Sequence, residues 1–100
     1  MIFYKQHAER SGVLIAACDE NICGKTLTEG ELEFFVNPRF YKDKSVTEKQ
    51  LMGILKHCTS ANLVGEKAVQ AGIKAGIVDG QSVRKIAGIP HAQFFLIRAV

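Results

Sequence analysis

One hundred residues, 47% hydrophobic and 23% charged, describe a single globular domain over 1–100 and exclude a disordered or fibrous chain. The longest wholly apolar run, Val13 to Cys18, falls far short of the ~20 residues that cross a bilayer, and no basic-then-apolar leader opens the chain. A cytosolic protein with no membrane partner is therefore expected. The net charge of +3 permits contact with nucleic acid without demanding it, and three unevenly spaced cysteines, Cys18, Cys23 and Cys58, read as reduced thiols.

Residues 2–7 are aromatic and apolar enough for a strand, and the polar stretch 9–12 ends in a glycine turn. Residues 13–17 read as a strand buried on both faces. Asp19, Glu20 and Asn21 reverse the chain, and residues 22–27 return as a third strand in which Gly24 marks a bulge or a close backbone approach. After the turn at 28–30, Leu32, Phe34 and Val36 alternate with Glu31, Glu33 and Phe35, which completes an antiparallel meander.

Asn37-Pro38 ends that pattern, because proline continues neither a ladder nor, in the residue before it, a helix. Residues 39–45 then gather Arg39, Lys42 and Lys44 with Phe40 and Tyr41. A helix start follows: Thr47 as cap, Gln50 closing the capping box, Val46 stapled to Leu51, and a buried stripe of Leu51, Ile54, Leu55 and Cys58.

Residues 60–76 read as one amphipathic helix. On a helical wheel Val64, Ala68, Ala71, Gly72 and Ala75 share an arc opposite Glu66, Lys67, Gln70 and Lys74, and Gly76 stops the helix. Its interior glycines, Gly65 and Gly72, each cost about 1 kcal/mol of propensity against Ala, which close packing of the helix on a sheet would offset. The alternative is that Asn62 and Gly65 open the first turn to an anion, against which Glu66 already stands. Asp79-Gly80 is a turn, residues 82–87 form a strand or a single helical turn with the strand preferred, residues 88–90 turn again, and residues 91–98 form the last strand. The expected fold class is α+β: a two-layer sandwich in which an antiparallel sheet, the N-terminal meander plus the C-terminal strand, is packed by two helices.

Cys18-Asp19-Glu20 followed by Gly24-Lys25, Asn62-Leu63-Val64-Gly65-Glu66, Ala75-Gly76-Ile77-Val78-Asp79 and Pro90-His91-Ala92-Gln93 together resemble the archaeal domain-of-unknown-function family 424. The likeness runs in order over nearly the whole chain. It implies a small cytosolic archaeal protein without an assigned activity, and a link to RNA or the translation apparatus. The family pattern more often has Leu at the position of Cys23, which puts a metal or catalytic role for that thiol in doubt.

The chemistry-bearing residues are read against packing. Cys18, Cys23, His57 and Cys58 are ligand types without the paired spacing of a zinc site, so no metal or cofactor is expected. Cys18 with His91 is a conceivable nucleophile and base, but neither their distance nor an oxyanion donor follows from the letters. His91 and Gln93 share strand parity and point one way. Arg39, Lys42 and Lys44 with Tyr41, and Arg84 with Lys85, offer cations beside rings, the physical minimum for RNA contact. A non-enzymatic binding module for RNA or the ribosome is the leading expectation, with Lys25, Arg39, Lys42, Arg84, His91 and Gln93 as its contacts. A pocket between the Asp19-Glu20 turn, Asn62 and His91 would mark a small enzyme or ligand-binding protein instead. An exposed edge at Phe94-Phe95 would mark a protein-interaction subunit.

Overall fold

The computed structural model describes residues 1–96, so Ile97 and Arg98 of the expected last strand lie outside the described residues. Eight strands and three helices follow in the order β1 (Ile2–Glu9), β2 (Gly12–Asp19), β3 (Thr26–Glu29), β4 (Leu32–Phe35), α1 (Pro38–Tyr41), β5 (Lys44–Val46), α2 (Glu48–Leu55), β6 (Ser60–Val64), α3 (Glu66–Lys74), β7 (Arg84–Ile86) and β8 (Ile89–Phe95). The fold is α+β. Six strands form one sheet in the order β5-β1-β2-β6-β8-β7, antiparallel throughout except for the parallel pair β2–β6.

Strand alternation gives this sheet two faces. Ile2, Ile15, Ala17, Ala61, Leu63 and Ala92 pack against Leu51 and Leu55 of α2 and Ala68, Val69 and Ala71 of α3. On the opposite face Ala16, Cys18 and Val64 pack under Tyr41 of α1 and Leu27 and Val36 of the β3–β4 segment. The two-layer core is thus as expected, with a partial third layer added on its far side.

Three details depart from the sequence reading. The third strand starts at Thr26, because Glu20–Ile22 form a 3-10 turn and Gly24 takes a positive φ of 85°. It does not continue the meander: β3 pairs with β4 as a separate hairpin, and β2 takes β6 as its second neighbour instead. The largest departure concerns residues 60–76, whose first five form strand β6, so the helix begins only at Glu66.

Gly65 makes that junction. Its φ of 112° is open to glycine alone, and a Cβ there would fall on the Asp19 side chain. Gly72 answers to close packing, since its Cβ would stand 2.5 Å from Leu63 Cδ1 and 2.9 Å from Val78 Cγ2. The start of α2 is as expected: Gln50 N donates to Thr47 Oγ1 at 3.1 Å, and Thr47 N donates to Gln50 Oε1 at 2.9 Å.

Candidate functional site

The expected site residues fall into three groups. The first is structural. Asp19 alternates with Cys18 onto the helix side of the sheet, where Oδ2 accepts from Lys67 N at 3.0 Å and Oδ1 from Ala68 N at 2.8 Å. A carboxylate from β2 therefore satisfies the first turn of α3, the place that the alternative reading opened to an incoming anion. Glu20, exposed in the 3-10 turn, and Asp19 line an open cleft of about 660 Å³ with Met1, Asn21, Glu66 and Lys67. Lys25 is exposed before β3. Its backbone donates to Ile22 O and accepts from Val36 N, closing the hairpin at its base.

The second group lies on the opposite face, toward β7 and β8. Register sets Asn62 beside Gln93 and Val64 beside His91, while Arg84 flanks His91 on the outer side. Asn62 Oδ1 accepts from Tyr41 Oη at 2.8 Å and from His91 Nε2 at 3.1 Å. That oxygen has no proton to give, so Nε2 carries the imidazole proton of neutral His91 and Nδ1 keeps its lone pair. Burial, and secondarily the Arg84 charge, hold His91 below its ordinary pKa of 6.5. Phe34 covers the ring at 5.2 Å between centroids. Asn62 is thus a strand residue linking three elements, and Asp19 stands across the sheet from it. The three-part pocket of the alternative reading is not assembled.

The cysteine chemistry does not converge either. β6 separates Cys18 from His91, since Cys18 pairs beside Val64 and Val64 beside His91. Burial first, then Cys23 and Asp19, raises the Cys18 thiol far above its usual range, which leaves no thiolate for nucleophilic attack. Cys58 belongs to the helix-side core and Cys18 to the opposite one. Among the described residues no cluster of three or more His, Cys, Asp or Glu is placed to hold a metal ion.

The third group surrounds α1. Asn37 caps this single turn by accepting from Arg39 N at 3.0 Å, and Pro38 supplies the fixed φ of its first position. The turn seats on β1: His7 stacks on Phe40 at 4.8 Å and 24°, His7 Nε2 lies 2.8 Å from Phe40 O, and Lys5 Nζ donates to Arg39 O at 3.0 Å. Lys42 Nζ stands 4.8 Å from the Phe3 ring centroid. Two expectations need correcting. Tyr41, offered for stacking on a base, is only 2% exposed and packs edge-on against Phe40 at 4.8 Å. Lys44 pairs with Tyr4, whose side chain belongs to the helix-side core, so it leaves this patch. Lys5 and His7, absent from the expected set, enter it. Their shared parity with Phe3 was readable, but the helical turn that meets them was not.

No helix among the described residues is long and apolar enough to cross a membrane. The fold is similar to the crystal structure of an uncharacterized conserved protein from Methanopyrus kandleri. The TM-score is 0.81 over 99% of this chain and 95% of that one, at 23% sequence identity, a likeness that speaks for the fold alone. No curated protein matches the chain. A family model described as "Protein of unknown function (DUF424)" matches residues 7–97, and the chain belongs to that family.

Proposed function

We propose that the chain is a small binding module that holds single-stranded RNA against α1 and β1. The observation that supports this is the His7–Phe40 stack, 4.8 Å between centroids, set among the cations of Lys5, Arg39 and Lys42. Cations neutralise phosphates, and a half-buried ring pair gives an unpaired base an edge or face to rest on. A contact with ribosomal RNA or another part of the translation machinery would use the same surface.

Fluorescence anisotropy with a labelled single-stranded RNA at low and moderate salt tests the reading. Three phosphate contacts predict a slope of log affinity on log salt of about −2, or a loss of about 20-fold between 50 and 200 mM salt. Lys5→Ala, Arg39→Ala and Lys42→Ala each reduce that slope by about 0.7. Absence of binding at low salt overturns the proposal, as does a triple variant that binds like the parent.

A further inference from the structure

Strand β8 is paired on both sides for only part of its length. β7 covers Ile89 to His91, whereas β6 runs beside His91 to Phe95. Pro90 O accepts from Gly65 N at 2.9 Å and Leu96 N donates to Thr59 O at 2.8 Å, so the even-numbered residues of β8 turn their backbone groups toward β6. By alternation the N–H and C=O of Gln93 and Phe95 point away from it, into the line that β7 would occupy if it were longer. The chain does not continue along that line. Upstream of Arg84 it leaves as the 3-10 turn Gly80–Ser82, held by Asp79, whose side chain accepts from Gln81 N at 3.0 Å. The result is a notch in the sheet edge, opening into a cleft of about 710 Å³. Leu32 and Phe95, 49% and 66% exposed, supply its apolar walls.

Geometry and charge together select an occupant. A strand added beside Gln93 and Phe95 in the direction of β7 points its C-terminal end at residues 82–84, where the row is already filled, so a chain that stops there presents a carboxylate. A strand added the other way would present an ammonium at the same point. Arg84 and Lys85 stand at that blocked end, and among the described residues neither is in an ion pair. The acidic residue of that lining, Glu29, already accepts from Ala87 N at 3.0 Å. We propose that this notch binds the extended C-terminal tail of a protein partner by strand addition. The tail's backbone pairs with Gln93 and Phe95, an apolar side chain lies on Leu32 and Phe95, and its terminal carboxylate meets Arg84 and Lys85.

The site lies at the opposite edge of the sheet from α1, so this inference stands apart from the RNA reading. The test titrates the whole chain into a fluorescein-labelled pool of hexapeptides, randomised over Val, Ile, Leu and Phe at the last three positions. One pool carries a free C-terminal carboxylate and the other a C-terminal amide. The acid pool is expected to bind, with the amide pool and the Arg84→Ala, Lys85→Ala double variant each weaker by about tenfold or more, the range of a charge-assisted pair. Far-UV circular dichroism checks that the double variant is folded, and an amide-to-acid difference in the parent chain stands without it. Equal binding of both pools overturns the C-terminal assignment. Absence of binding up to about 1 mM overturns the site. Sedimentation showing a dimer that the acid pool does not dissociate assigns the edge to self-association instead.

Discussion

Replacing Asp19 by Ala removes the carboxylate that caps the N-terminus of α3 from the sheet, and its cost can be worked from the structure. Asp19 is 7% exposed and accepts two N–H bonds, from Lys67 and Ala68. Hydrogen bonds to a charged acceptor contribute about 1.5–3 kcal/mol each, and loss of a capping side chain costs about 0.5–2 kcal/mol. These overlap, since the same two bonds are the cap. The cleft beside Asp19 is open, so water re-solvates the freed N–H groups and draws the net cost to about 2–3 kcal/mol. Asp19→Asn keeps one acceptor oxygen and loses the charge that the helix end favours, which leaves about 1 kcal/mol of cost. Urea unfolding followed by circular dichroism reads both, as a fall in midpoint at unchanged slope, and the Ala variant should melt roughly 10–20 °C lower. Amide exchange adds a local readout: Lys67 and Ala68 should lose protection before the centre of α2 does. If Asp19→Ala lies within about 0.5 kcal/mol of the parent, the carboxylate does not hold the helix and this account of the β6–α3 junction is wrong.

Three further outcomes follow from the packing and charge around that core. Gly72→Ala should destabilise by about 1–2 kcal/mol in chemical unfolding although Ala is the better helix former, because its Cβ meets Leu63 and Val78; Leu63→Val in the same chain should recover part of the loss. Ala87 sits at a φ of 53° beside Gly88 at 79°, in the two-residue loop between β7 and β8, so Ala87→Gly should raise stability by about 0.5–1 kcal/mol; a lower melting temperature would contradict the turn geometry. The folded chain holds His91 below the 6.5 of the unfolded chain, so the unfolded state binds more protons between the two values. The stability of the parent is therefore complete above that upper value and falls as pH drops through it toward the lowered one. His91→Gln, which can still donate to Asn62, should flatten that limb in urea midpoints compared at about pH 7.5 and 5.5; an equal drop in both chains would refute the assignment.

What the sequence revealed divides by the distance over which each instruction acts. The start of α2 was legible because Thr47, Gln50, Val46 and Leu51 lie within six residues of one another and carry the whole signal. The β6–α3 junction was not. Ala61 and Val64 fall in phase with Ala68, Ala71 and Ala75 at helical spacing, and β6 is so widely buried that strand alternation is hidden. The residue that starts the helix, Asp19, is 48 positions away from Lys67, so no local cap marks the boundary. Gly65 was visible as an expensive helix residue, and its cost proved to mark a junction of positive φ rather than an interior contact. Gly72 was read for the right reason. The same contrast governs the site residues. Strand parity brought His91 and Gln93 to one face, whereas the pairing of Asn62 with Tyr41 and His91 depends on three segments that meet only in the folded chain. The departure of β3 from the meander has a comparable origin, since β2 finds its second partner, β6, more than 40 residues downstream.

The claim on which the functional reading rests is that the two sides of the sheet have different work: α2 and α3 close the core, and the side bearing α1 meets the ligand. Amide chemical shifts of the isotopically labelled chain, followed during titration with a single-stranded RNA at low salt, test this directly. The account predicts that the shifts concentrate at residues 3–7 and 39–42 and leave the outer surface of α2 and α3 unmoved. Shifts that cluster on Lys49, Lys56, Lys67 and Gln70, or a spectrum that does not change at all, would contradict it.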